Sequence, residues 1–408
     1  MKILHTSDWH LGHTLYGYDR TVEHKAMLEQ MVEIVREHRP DVFLLAGDVY
    51  HTSQPSSAVQ TMFSEAMVSL HQAHPEMYII VIAGNHDSAS KHEIFTTPWR
   101  ALNVYAIGNL DKEHPEKHII EVPEKGIVLA VPYAYERNIP DGFFQELIDL
   151  TNGGDELGPF DKLRDRDEAG PFDKLRDRTT ELPIVLMAHT TVKGADITGH
   201  DKRYTDQVGG IDYIEVEKMG QGYDYLALGH IHKPQYIHTG KHNVRYSGTP
   251  IPVSFDEDYK HSVSLVEVNK GETPIIKELE IKNPFPLITL PNQDYATWDE
   301  AKDLLRDFPD EVPAYIRLNV LVEGFLPPNA KDEAYKITEG KQCKVCLLNA
   351  KQKNNATSET HSFSVQELQE MNPLDIAINY AQTIGAELDD EMQEMFKQVL
   401  TLANREEN

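Results

Sequence analysis

Two cysteines, Cys343 and Cys346, are all that 408 residues contain. A disulfide framework is therefore excluded, and a reducing cytoplasm is the expected setting. Their C-x-x-C spacing is at most half of a zinc site. There is no second cysteine pair, and Val345 and Leu347 alternate around them as in a strand. No run of about 18 apolar residues occurs, so no membrane-spanning helix is expected. The amino terminus, MKILHTSDWH, has no basic region ahead of an apolar core. It reads as a first β-strand and not as a signal peptide. Positive charge is scarce: 39 Lys and Arg face 66 Asp and Glu, for a formal net charge of −27. A free-standing nucleic-acid binder normally carries a basic footprint. This balance argues against strong unaided DNA binding, unless bound divalent cations or a partner's basic surface offset it.

What is present is enough for a packed core. Hydrophobic residues make up 40% of the chain, and its length predicts a main domain plus smaller modules. Over residues 1–135 strands and helices alternate. Met1–Thr6, Asp41–Ala46, Tyr78–Ala83 and Gly126–Val131 are short apolar strands. Val22–Arg39 and Ser56–His71 carry apolar residues at helical spacing, the second with Val59, Met62, Phe63, Met67 and Leu70 on one side. Strands apolar on both faces indicate a sheet covered by helices on both sides. Further strands are expected at Leu182–Ala188, Tyr223–Leu228, Val244–Ser247 and Ser262–Val268.

Residues 153–180 interrupt this pattern. The unit GPFDKLRDR stands at 158–166 and again, unchanged, at 170–178. Two copies are too few for a solenoid, and the segment reads as a surface insertion. Beyond Pro284–Pro286 the composition changes. The division expected is a main domain at 1–282, a small α+β module at 283–350, a polar linker at 351–361 and an acidic helical tail at 362–408. In the small module Ala296–Phe308 and Ala330–Thr338 read as helices, and Ala314–Val322 and Lys344–Leu348 as strands.

Five short polar segments each follow an apolar strand: Asp8-Trp9-His10, Gly47-Asp48, Gly84-Asn85-His86-Asp87, His189 and Gly229-His230-Ile231-His232. Strand ends are where open α/β sheets place ligands. The glycines permit sharp turns and close approach. The side chains offered are carboxylate, imidazole and amide oxygen with no thiolate, a set suited to Mn²⁺, Fe or Zn²⁺. Taken singly, an Asp at a strand end is usually a turn or cap residue, and a lone His is usually structural. Five such segments in order are hard to assign to coincidence.

In this order the segments resemble the calcineurin-like metallophosphoesterase superfamily, over roughly residues 1–270. The resemblance implies an α/β fold of two sheets flanked by helices, with a small α+β capping domain. It also implies two divalent ions, Mn²⁺ first among them: one held by Asp8, His10, Asp48 and His232, the other by Asp48, Asn85, His189 and His230. His86 would act as acid or charge stabiliser. His51 would orient the phosphate, and it stands where protein phosphatases of the superfamily carry an Asp-Arg-Gly signature. The phrases GDVYHTSQPS (47–56), GGIDYI (209–214), ALGHIHKPQ (227–235) and YSGTPIPVSF (246–255) resemble its DNA-repair nuclease branch. That branch implies 3′–5′ exonuclease and single-strand endonuclease activity on DNA, and pairing of two nuclease domains through helices such as Ser56–His71. It also implies a coiled-coil ABC ATPase partner that docks on the tail. The rival expectations are a small-substrate phosphodiesterase or phosphatase on the same fold, and a scaffold that has lost its metals. The scaffold reading predicts missing ligands, yet all seven positions are filled.

Overall fold

The computed structural model describes residues 1–94, 96–152, 181–198, 213–237, 240 and 242–353, together with 392, 393, 395 and 396. The repeat-bearing insertion and nearly all of the tail lie outside the described residues. Contacts divide the chain into two units. The first is Met1–Thr289 with Asp310–Arg317 and Lys341–Leu347. The second is Leu290–Pro309, Leu318–Gly340 and Leu348–Asn408.

In the first unit, besides a two-stranded hairpin of Thr14–Leu15 and Tyr18–Asp19, the strands are β1 (Lys2–Thr6), β2 (Val42–Ala46), β3 (Tyr78–Ile82), β4 (Val104–Ile107), β5 (Ile119–Val122), β6 (Gly126–Val131), β7 (Ile184–His189), β8 (Tyr225–Gly229), β9 (Gln235–Tyr236), β10 (Val244–Tyr246), β11 (Ser262–Glu267) and β12 (Ile275–Glu280). They form two six-stranded sheets, of order β12–β11–β1–β2–β3–β4 and β9–β10–β8–β7–β6–β5. Strands β1 to β4 run parallel, with β4 at one edge, as do β6, β7, β8 and β10. Strands β11, β12, β5 and β9 pair antiparallel and complete the sheets.

The two sheets pack face to face. One buried cluster contains Ile3, Val42, Leu44, Ile80 and Ile82 from the first sheet with Val128, Ala130, Val185, Met187 and Ala227 from the second. Alternation then sends Leu4, Phe43, Leu45, Ile79 and Val81 to the opposite face, under helices α1 (Thr21–His38) and α2 (Ser57–Ala73). Ile127, Leu129, Leu186 and Leu228 of the second sheet are covered by α3 (Phe143–Asn152) through Phe143, Phe144, Leu147 and Ile148. This corrects the expectation of helices on both faces of one sheet. The strands are apolar throughout because each sheet has one face on helices and the other on its partner sheet. Periodicity registers burial and does not say what does the burying.

The α2 start expected at Ser56 is a cap: its side chain accepts from the Val59 N–H. Strands β4, β5, β9 and β12 and helix α3 were not anticipated. β4, β5, β9 and β12 are the edge strands of the two sheets, too short or too polar to leave a clear apolar period. Downstream, β13 (Leu287–Leu290), β14 (Ala314–Val322) and β15 (Cys343–Gln352) form a three-stranded sheet. The last strand is longer than the expected Lys344–Leu348. Both cysteines are free. In the second unit, helix α4 (Trp298–Asp307) opens on a complete capping box between Thr297 and Glu300. It packs beside α5 (Ala330–Ile337), where the Trp298 indole donates to Glu333 at 3.2 Å. Among the described residues no helix is long and apolar enough to cross a membrane.

Candidate metal centre

The parallel strands of both sheets end on one side, and their C-terminal exits carry the expected residues. Beyond β1, Trp9 is fully buried between Phe43 and Phe63, and its indole donates to the Thr6 hydroxyl at 3.0 Å. With the middle residue committed to the core, Asp8 and His10 on either side both reach the site. They do so in left-handed backbone, with φ of 52° and 43°. Asp48 (φ 49°) and His230 (φ 95°) share that region. Four non-glycine residues in sparsely populated conformations at one place are the pattern expected where strain is held for function.

Glycine makes the crowding possible. A Cβ on Gly84 would lie 2.1 Å from the Asp48 Oδ1. On Gly47, whose φ is +87°, it would lie 2.2 Å from the His189 Nδ1. Asp87 ties two of the loops together. Its carboxylate accepts from the N–H groups of Gly84, Val49 and Tyr50 at 2.9, 3.1 and 2.9 Å, and it faces the buried His92 at 3.4 Å.

All seven side chains expected as ligands converge. The Asp48 Oδ2 lies 3.8 Å from the His10 Nε2 and 3.6 Å from the His189 Nε2, between the two halves of the cluster. His10 and His232 face each other Nε2 to Nε2 at 3.1 Å. The Asn85 Oδ1 is 3.0 Å from the His189 Nε2 and 2.9 Å from the His230 Nδ1. Donor atoms of Asp8, His10 and His232 lie within 4.8 Å of one another, as do those of Asp8, Asp48 and His189. His86 donates its backbone N–H to the Asp48 Oδ1 at 2.9 Å, and its Nδ1 is 2.8 Å from the His51 carbonyl. The His51 and His86 rings stack at 5.5 Å, and the ring of His10 lies 4.9 Å from that of His86. The structure therefore places both of these histidines against the cluster.

The arrangement faces lone pairs toward one another. The Nδ1 of His189 donates to the Ala46 carbonyl at 2.7 Å, and that of His232 donates to the Glu257 Oε1 at 2.7 Å. In its neutral form each ring then presents an unprotonated Nε2 to other acceptors: Asn85 and Asp48 in one case, His10 in the other. Such a convergence needs a cation, and a proton is the smallest. Burial pulls the His189 imidazole down, yet the charge of Asp48 beside it outweighs this and holds it at about 9. Burial and Glu257 act in the same opposed way on His232, again leaving it at about 9. Burial would push Asp48 up, but His189 holds it well below the carboxylate range. For His10 burial wins, and it sits well below the ordinary imidazole value. A donor set of two carboxylates, four imidazoles and one amide oxygen, with no thiolate, fits divalent cations of intermediate hardness.

Sequence reasoning missed the supports. Glu257 is fully shielded, and its second oxygen accepts from the Val253 N–H at 3.1 Å. Thr249 donates its hydroxyl to the Asp8 carbonyl at 2.9 Å and its N–H to the His232 carbonyl at 3.0 Å. The loop after β10 thus holds two ligand segments by their backbones and one by its side chain. The phrase YSGTPIPVSF ended two residues short of Glu257. The carboxylates at 256–258 offered no signal to choose among them, because only the fold brings one beneath His232.

Residues 1–234 match the model of the calcineurin-like phosphoesterase family. Three curated relatives each carry the name of the SbcD subunit of the nuclease SbcCD. The one from Rhodobacter capsulatus is 30% identical over 313 residues, covering 74% of either chain. That of Escherichia coli K12 is 27% identical over 407 residues, covering 98% of this chain and 97% of the relative. The one from Bacillus subtilis is 31% identical over 316 residues, covering 74% of this chain and 76% of the relative. With its donor cluster at the strand exits and this likeness along almost its whole length, the chain belongs to the calcineurin-like phosphoesterases and, within them, to the SbcD nucleases.

Proposed function

We propose that this chain is the Mn²⁺-dependent nuclease subunit of an SbcCD-type complex. It would hydrolyse DNA phosphodiesters as a 3′–5′ double-strand exonuclease and single-strand endonuclease, in repair, recombination, replication and hairpin cleavage in the cytoplasm. The observation that carries this reading is the convergence of seven oxygen and nitrogen donors from five strand exits on one buried volume.

Asp8, His10, Asp48 and His232 would hold one ion, and Asp48, Asn85, His189 and His230 the second. When bound, two such ions would supply acidity to a water and neutralise charge on the phosphodiester oxygens. The protein's own part is to fix these donors. Asp48, with one oxygen between His10 and His189 and the other accepting from the His86 N–H, anchors both halves. His86 is oriented by its Nδ1–H donating to the His51 carbonyl, and only as the doubly protonated imidazolium would its ring also have an Nε2 proton to give to the departing oxygen. No side-chain nucleophile is required.

The proposed partners are DNA, a second copy of the nuclease domain and an SbcC-type coiled-coil ABC ATPase. The tail assigned to the ATPase lies outside the described residues. The test is cleavage of single-stranded and hairpin DNA against hydrolysis of bis(p-nitrophenyl) phosphate, with Mn²⁺, with and without the ATPase. The nuclease reading expects DNA cleavage. Aryl-ester hydrolysis with no DNA cut in either condition would make the chain a small-substrate phosphodiesterase.

A further inference from the structure

The segment after β6, Pro132–Asn138, leaves the metal centre and reaches the surface carrying Tyr133, Tyr135 and Arg137 at alternate positions. Its start is pinned by the Tyr133 N–H, which donates to the Ala83 carbonyl at 2.9 Å. The Tyr133 ring lies 6.1 Å from that of His189 and 6.3 Å from that of His230, two of the donors of the centre. Tyr135 follows at 5.5 Å from Tyr133, edge to face. The Arg137 guanidinium stands 5.0 Å from the Tyr135 ring centroid. Tyr135 is 47% exposed and Arg137 is exposed. The one acidic side chain of the segment, Glu136, is neutralised by Lys218 at 2.8 Å.

A single exposed tyrosine is ordinary on a protein surface. A continuous run of rings from two metal-centre histidines out to solvent, ending on a guanidinium, is a different object. It sets a half-exposed tyrosine ring, with a guanidinium 5.0 Å from its centroid, one ring away from the donor cluster. Base–aromatic stacking with arginine support is how single-stranded nucleic acid is held without sequence preference.

We infer that Tyr135 and Arg137, with Tyr133 behind them, form a stacking platform for an unpaired nucleotide base next to the scissile phosphate. This rests on the nuclease reading and adds to it where the strand lies. It also gives an acidic chain a means of holding DNA that does not depend on a basic surface.

The test compares Tyr135→Ala, Tyr135→Trp and Arg137→Ala with the parent, all as full chains with Mn²⁺. Each is assayed on a single-stranded oligothymidine carrying one 2-aminopurine and on bis(p-nitrophenyl) phosphate, which has no base to stack. The expected result for Tyr135→Ala is a KM for the oligonucleotide raised about tenfold or more, with loss of 2-aminopurine quenching. The ratio of oligonucleotide to ester kcat/KM falls by the same factor, and Tyr135→Trp restores both. An unchanged ratio, or quenching intact in Tyr135→Ala, overturns the platform. A parent that hydrolyses the ester but leaves the oligonucleotide whole overturns the nuclease reading beneath it, a distinct outcome.

Discussion

The Glu257 Oε1 accepts a hydrogen bond from the His232 Nδ1 at 2.7 Å, in a place where both side chains are shielded from solvent. The contact decides which nitrogen of the imidazole carries the proton. In the neutral ring, with that proton committed to Glu257, the Nε2 turns its lone pair toward His10, 3.1 Å away. Carboxylates behind ligating histidines act this way in metal sites generally.

On the proposed ligand set, Glu257→Gln is expected to weaken binding of the ion that Asp8, His10, Asp48 and His232 would hold. The expected loss in Mn²⁺ affinity is about 10- to 100-fold, read by calorimetric titration of the metal-free chain. Unaltered affinity for both ions would show that Glu257 only packs.

Asp48 is the residue placed between the two halves. Asp48→Ala is expected to abolish phosphodiester cleavage and to lower bound metal at both positions, while the circular dichroism spectrum stays that of the parent. Retention of two ions per chain in this variant would rule out a shared carboxylate.

His86 contacts Asp48 through its backbone and His51 through its ring. Its side chain is not needed to hold the ions on the proposed reading. His86→Ala should keep the parent's metal content and lose about 10²- to 10⁴-fold in kcat. Metal analysis decides: loss of an ion alongside activity would move His86 into the ligand set.

His5 lies in β1 between the sheets, with its Nδ1 on the Tyr225 hydroxyl at 2.9 Å. Burial, with Arg245 adding to it, depresses its pKa to about 3. An unfolded chain protonates this histidine near pH 6.5, while the folded chain does not. The contribution is therefore complete above pH 6.5 and is lost as pH falls from 6.5 toward 3. At pH 5 the loss is about 2 kcal/mol. Denaturant unfolding at pH 7.5 and pH 5.0 should show a drop in stability that is smaller by roughly this amount in His5→Gln. An identical drop in parent and variant would mean the ring is protonated in place.

How much of this was legible beforehand follows from the kind of signal each residue leaves. Asp8, His10, Asp48, Asn85, His189, His230 and His232 were visible because each sits directly after an apolar strand, and strand exits gather at one edge of an α/β sheet. The central strands and α1 and α2 were visible for the same local reason, in that their apolar periodicity is strong over short windows.

Other features were settled by tertiary structure alone. That Leu44 meets a second sheet while Leu45 meets helices cannot be told from two adjacent leucines. Glu257 and Thr249 lie 25 and 17 residues from His232, in a loop with no periodicity, and acquire their roles only when β10 and β8 pair side by side. Tyr133, Tyr135 and Arg137 read as an ordinary loop until the exit of β6 is set beside His189 and His230. Local sequence determined which groups can bind an ion, since donor chemistry belongs to single side chains. Only the fold decided which groups stand behind them, since support is a relation across distant segments and leaves no pattern along the chain.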